Sequence, residues 1–230
     1  MARTKVQKPS APTEPFTPDP PNEKLGDDLF SRQFKAWREW HNAVHFLTNL
    51  HIGMDDAQVF CSPQDPPDVL YQDAAFEIKE IMDEGRRRHD EIKQARQKAL
   101  QKTKPQDFTL KPVIDLLPVD AGRLVLEQLD ALAERYQADV KACTDMLFYV
   151  NKLNHWFDDG PMPKPEQFSK YGWRSVSAVV ASNVSLVFYA SADAPKFLRD
   201  NCGQVRKRHE RLTIDASHVT VFRGVCQMTL

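Results

Sequence analysis

Cysteine is scarce and scattered. Cys61, Cys143, Cys202 and Cys226 stand far apart, without the CxxC spacing of a zinc site or the density of a disulfide framework. A structural zinc is therefore not expected, and the thiols read as reduced ones in a cytoplasm. No apolar run approaches the length of about 18 residues that a membrane-crossing helix needs. The opening Met1-Ala2-Arg3-Thr4-Lys5 also lacks the apolar stretch of a secretory signal, so a cytoplasmic protein with no membrane partner is expected. Net charge is nearly absent: 31 Lys and Arg against 32 Asp and Glu leave −1, so any attraction to nucleic acid must be local. There is no glycine-rich phosphate loop, no HExxH and no GxSxG, which removes several enzyme classes. What is there is ordinary for a globular protein: 230 residues, 41% hydrophobic and 27% charged, enough for one ample core.

Six of the sixteen prolines fall in residues 1–24, with little apolar beyond Val6 and Phe16, and this stretch reads as a disordered tail. Residues 25–230 read as a single domain, with a core over about 27–151 and an extension over 152–230. Phe30, Phe34, Trp37, His41, Val44 and Leu47 recur at three and four, which predicts an amphipathic helix over 27–50. A short strand over 57–61 and a proline-bracketed loop over 62–67 follow. Residues 83–104 read as a helix with almost no apolar face. From Gly85 to Lys104 it carries eight Lys or Arg, among them Arg86, Arg87, Arg88 and Lys93, against Asp90 and Glu91, a local balance of 8 − 2 = +6. Such a run is either a solvated face or a grip on phosphates. A helix over 119–141 is expected, with Asp120 as N-cap and Leu124, Leu129, Leu132 and Tyr136 in its apolar stripe. Then come a buried strand over 146–150, an irregular connection over 154–172 and a hairpin of 175–181 with 184–190. A helix over 195–211 bearing a second basic cluster (Arg206, Lys207, Arg208) and a strand over 219–228 close the chain. Arg174, beside Trp173 at the mouth of the late hairpin, pairs a cation with an aromatic, a weak pattern for nucleic-acid contact.

The stretch from Pro67 to Ile81 holds the chemistry, because it sets two acids and a lysine into runs that otherwise read as buried strand. Side chains alternate faces along a strand, so Glu77 and Lys79 share one side while Phe76 and Ile78 take the other. A reversal at Gln72-Asp73 pairs Tyr71 with Ala74 and Leu70 with Ala75, and one step outward puts Asp68 opposite Glu77. Carboxylates opposed across a ladder sit roughly 5 Å apart and repel unless a cation or a proton lies between them. Mg²⁺, or Mn²⁺ in its place, suits such a pair, since a hard cation takes oxygen ligands and is often held by one or two carboxylates. Lys79 is placed to orient water or offset charge on a phosphate. The turn is the weak point, because Gln-Asp is not a favoured two-residue hairpin dipeptide. Asp73 fits that turn, and Asp65 reads as loop. A surface hairpin that carries its charges for solubility is the alternative.

Pro67-Asp68, a short spacer and Glu77-Ile78-Lys79 resemble the PD-(D/E)XK nuclease superfamily. The resemblance implies an α/β restriction-endonuclease-like core with a mixed sheet flanked by helices. It implies divalent metal on Asp68 and Glu77, with the Ile78 carbonyl as a further ligand, water activation by Lys79, and hydrolysis of nucleic acid, DNA foremost. It also points to an acid from the first helix, for which Glu39 is the candidate; Glu39 lies away from the apolar stripe, and an ordinary exposed glutamate is the other reading. A non-catalytic nucleic-acid-binding module of the same fold is the alternative function. The oligomeric state stays open, with a homodimer one option.

Overall fold

The computed structural model describes residues 14–19, 34–85 and 112–208. The basic run that holds Arg86, Arg87, Arg88 and Lys93, and the strand expected over 219–228, lie outside these residues. Among the described residues no helix is long and apolar enough to cross a membrane.

Helix α1 (Lys35–Asn49) leads into strands β1 (Val59–Cys61), β2 (Val69–Tyr71) and β3 (Ala74–Met82). After the undescribed segment come β4 (Ile114–Leu116), α2 (Pro118–Ala131), α3 (Ala138–Cys143), β5 (Asp145–Asn151) and β6 (His155–Phe157). The rest is α4 (Glu166–Ser169), β7 (Ser175–Val180), β8 (Val184–Ala190), α5 (Lys196–Asp200) and β9 (Gln204–Lys207). Among the described residues seven strands form one mixed sheet in the order β1-β2-β3-β5-β7-β8-β9, and β4 and β6 make a separate parallel pair. The meander β1-β2-β3 is antiparallel, β3, β5 and β7 run parallel, and β8 and β9 return antiparallel.

The sheet is buried on both faces, which is why its central strands are apolar almost without break. In β5, Met146, Phe148 and Val150 join the core beneath α2, where Val125, Leu129 and Phe168 pack, while Leu147 joins the core beneath α1 with Phe46, Leu47 and Phe76. β3 departs from this pattern. Phe76 and Ile78 enter the α1-side core as expected, but the other face carries Glu77 and Lys79 before Ile81 restores the apolar packing. Each large apolar side chain fully buried here contributes roughly 1.5–3 kcal/mol, so a fully buried glutamate in their midst is a departure with a cost.

Four expectations are corrected. Glu14–Asp19, placed in a disordered tail, includes a two-hydrogen-bond bridge between Phe16 and Cys61 that covers the free edge of β1. The helix expected over 119–141 is two helices: α2 ends at Ala131, and a turn precedes α3. It starts on Pro118, and Asp120 sits one turn inside, accepting a 3.4 Å bond from the Leu117 N–H, instead of standing at the N-cap. The helix expected over 195–211 stops at Asp200, because Gly203 takes φ +74° and the chain reverses into β9. There Val205 packs on the core, and Arg206 and Lys207 sit on an edge strand paired with β8.

Candidate metal centre

The β2–β3 hairpin has the register that its alternation implied, with Tyr71 opposite Ala74, Leu70 opposite Ala75 and Val69 opposite Phe76. Gln72 adopts φ +52°, the left-handed value that tight hairpin turns require at their first central residue. Tertiary contacts supply what the dipeptide lacks. Arg174 Nη2 donates to the Asp73 carbonyl at 3.0 Å and also pairs with Asp145, whose Oδ2 accepts the Ala75 N–H at 3.0 Å. One step beyond the ladder, the Asp68 N–H donates to the Phe76 carbonyl at 2.8 Å and Asp68 Oδ2 accepts the Ile78 N–H at 2.9 Å. Asp68 thus brackets Glu77 from the neighbouring strand.

Oxygens of Asp65, Asp68 and Glu77 all lie within 4.8 Å of one another. Asp68 and Glu77 are buried and Asp65 is exposed on the loop before Pro66. Glu77 Oε1 accepts from the Tyr136 hydroxyl at 2.7 Å and from the Lys79 ammonium, which also donates to the Ile78 carbonyl at 3.3 Å. Glu77 Oε2 is buried with no hydrogen-bond partner among the described residues. From α1, Lys35 Nζ reaches Glu39 Oε1 at 2.7 Å and Asp68 Oδ1 at 2.9 Å, so Glu39 joins the cluster through the lysine. Burial and the Asp68 charge push the Glu39 carboxyl up to about 7, against the pull of Lys35. Burial alone would lower the Lys79 ammonium, but its bond to Glu77 and the surrounding carboxylates raise it, so it stays charged. Cys61 lies alongside, its thiol pushed up to about 12 by burial and by Glu39 and Asp68, and it is no nucleophile there.

The donor set fits a hard divalent cation. With Glu39 ionised, four carboxylates face two ammonium groups, a balance of 2 − 4 = −2. A buried carboxylate oxygen left without a donor costs several kcal/mol unless a cation or proton meets it, and Glu77 Oε2 is in that position. The side chains able to take part are Asp68, Glu77 and Asp65, with the Ile78 carbonyl adjoining Lys79.

The structure brings together Asp68, Glu77, Lys79 and, through Lys35, Glu39. Sequence reasoning passed over three neighbours. Asp65 read as loop, Tyr136 as part of an apolar stripe, and Lys35 carried no signal except its place one turn before Glu39. Glu80 points to the opposite face and accepts from Asn151 Nδ2 at 2.9 Å. Arg174, expected at a nucleic-acid contact, has its guanidinium taken up by Asp145 and the Asp73 carbonyl, and Trp173 is buried against Tyr136 with 2% exposure. Arg206 Nε donates to Asn201 Oδ1 at 2.7 Å, Lys207 pairs with Asp159 at 2.7 Å, and the Arg208 N–H donates to the Asn183 carbonyl. Arg206 and Lys207 lie on β9, with Arg208 just past its end, and among the described residues β9 is at the other end of the strand order from β1 and β2.

Residues 22–212 match the profile of a family described as "Putative endonuclease, protein of unknown function (DUF1780)". A solved structure of a protein of unknown function from Pseudomonas aeruginosa strain PAO1, named to the monooxygenase superfamily, is similar at a TM-score of 0.58 and 24% identity. The similarity covers 80% of this chain and 88% of that one, and at this identity it is a likeness of fold. No protein of curated function matches the chain.

Proposed function

This chain belongs to the DUF1780 family, and from that membership and the acidic cluster we propose that it is a metal-dependent nuclease built on a PD-(D/E)XK, restriction-endonuclease-like core. It hydrolyses phosphodiester bonds of nucleic acid, DNA foremost. The observation that carries this reading is the convergence of Asp68 and Glu77 across the hairpin, with Glu77 Oε2 buried and without a partner among the described residues and Lys79 on the same strand face.

Asp68, Glu77 and the Ile78 carbonyl hold Mg²⁺ or Mn²⁺, joined by Asp65 from the loop. A cation held there supplies Lewis acidity toward a phosphoryl oxygen and lowers the pKa of a bound water. The protein's own groups do the positioning. Tyr136 and Lys79 both donate to Glu77 Oε1, which leaves Oε2 as the carboxylate oxygen without a donor. Lys79 remains an ammonium, so it acts as a charged hydrogen-bond donor that orients the attacking water or a phosphate oxygen, and not as a base. Glu39, with its carboxyl at about 7, holds or releases a proton near neutral pH as the charge at Asp68 changes. Arg86, Arg87, Arg88 and Lys93, next along the chain after β3, are the proposed contacts to the sugar-phosphate backbone.

The test is a nicking assay on plasmid and single-stranded substrates with Mg²⁺ or Mn²⁺, comparing wild type with Glu77→Ala and Lys79→Ala. Metal-dependent cleavage lost in both variants is the expected result. Cleavage undiminished in both would sink the assignment. Metal binding without any cleavage would favour a non-catalytic nucleic-acid-binding module of the same fold.

A further inference from the structure

Lys35 occupies a position that the nuclease motif does not account for. Its ammonium sits 2.7 Å from Glu39 Oε1 and 2.9 Å from Asp68 Oδ1, between a glutamate of α1 and a carboxylate that faces the cation site. The two lysines of the cluster differ in how they are held. Lys79 is 24% exposed and is anchored within the fold by Glu77, the Ile78 carbonyl and the Tyr136 ring. Lys35 is 55% exposed and is held at its tip by the two carboxylates. A four-carbon stem ending in a compact, well-hydrated charge moves into water at small cost.

We propose that Lys35 is a built-in counter-cation of this site: it holds Asp68 and Glu39 together in the metal-free protein and leaves them when a divalent cation binds. The proposal rests on the metal-dependent reading above. Its physical basis is competition for one set of oxygens. Asp68 is 3% exposed, so its negative charge needs a partner at all times, and its Oδ2 is already engaged by the Ile78 N–H. Oδ1 is the oxygen that Lys35 covers. An ammonium and a divalent cation cannot share it without strong like-charge repulsion. Because the exchange is linked, whatever Lys35 contributes to the metal-free state is subtracted from the affinity for metal. Lys35 therefore sets the metal concentration at which the site fills, and its displacement frees an ammonium on the α1 side of the cluster.

Two measurements on the full chain test this. Lysine acetylation by an amine-reactive ester, followed residue by residue by mass spectrometry, reads the state of Lys35 directly. Millimolar Mg²⁺ is expected to raise Lys35 labelling severalfold in wild type and to leave it unchanged in Glu77→Gln, with surface Lys196 as the internal reference. In parallel, Mn²⁺ binding followed by electron paramagnetic resonance is expected to tighten about fivefold in Lys35→Met, the scale of a part-exposed ion pair. If wild type binds Mn²⁺ in a Glu77-dependent way while Lys35 labelling does not respond, the Lys35 proposal is overturned and the metal site stands. Unchanged or weaker Mn²⁺ binding in a folded Lys35→Met has the same meaning. If wild type binds no Mn²⁺, both readings fall. Should Lys35→Met not fold, the labelling of wild type alone decides.

Discussion

Glu39→Gln removes a charge that the fold holds at a disadvantage, and its effect depends on pH in a way that can be worked out. The side chain is 15% exposed, and burial followed by the Asp68 charge raises its carboxyl from 4.5 to about 7. Between those values the folded protein holds a proton that the unfolded chain has lost, so stability falls as pH rises through this window. Glu39 thus favours folding fully below pH 4.5, and that contribution is gone above about 7. At about 1.36 kcal/mol per pH unit, the rise is worth about 3 kcal/mol. His45 acts in the opposite sense: burial and its neighbour His41 depress it to about 4, so its contribution is present above 6.5 and lost as pH falls through 4. The total pH profile mixes the two, and the difference between variants separates them. Urea unfolding in EDTA should show Glu39→Gln gaining about 3 kcal/mol relative to wild type between about pH 4.5 and 8. Saturating Mg²⁺ should shrink that gain, because a cation at Asp68 removes the main charge acting on Glu39. Parallel profiles for the two proteins would refute the coupling of Glu39 to the carboxylate cluster.

Three further outcomes follow from individual contacts. Tyr136→Phe deletes only the hydroxyl that donates to Glu77 Oε1; it should cost about 1.5 kcal/mol in urea unfolding and lower kcat for cleavage while KM stays put. Arg174→Ala leaves Asp145, which has no solvent exposure, without its cation. A loss of about 3–5 kcal/mol is expected from this change, measured by the same unfolding experiment. Asp65→Asn, on an exposed loop, should change stability by less than about 0.5 kcal/mol. It should still weaken Mn²⁺ binding by about tenfold, the scale seen when a supporting group of a metal site is lost; unaltered Mn²⁺ affinity would remove Asp65 from the ligand set.

The hairpin was legible because alternation and burial oppose a one-residue slip, which would set the core faces of Val69 and Phe76 against each other, and because a two-residue reversal at Gln72-Asp73 puts Asp68 opposite Glu77. The position of its turn was legible as well, but what holds so unfavoured a dipeptide was not, since the contact that fixes Gln72-Asp73 comes from Arg174, about a hundred residues away in the chain. Glu39 was hard to place for a related reason. A helical stripe identifies the face that packs on the sheet, but α1 crosses near the end of β2, where its polar flank meets Asp68. Tyr136 fitted an apolar stripe because its ring packs on Trp173, and only its hydroxyl belongs to the site. Asp65 lay between proline signals that spoke for a loop, and composition carries no information on where a loop aims its carboxylate. The C-terminal basic cluster was misread as helix because Lys and Arg suit helices in isolation, whereas Gly203 and pairing with β8 decided the matter.

The central claim is that Asp68 and Glu77 form a divalent-cation site. Equilibrium unfolding of wild type and Glu77→Gln, each with EDTA and with increasing Mg²⁺, tests it without reference to any substrate. Ligand binding to the folded state adds about 1.4 kcal/mol of stability for each tenfold of cation above its dissociation constant. Wild type should follow that slope, and Glu77→Gln should remain flat across the same range. Equal stabilisation of both proteins by Mg²⁺, or none in wild type, would contradict the claim.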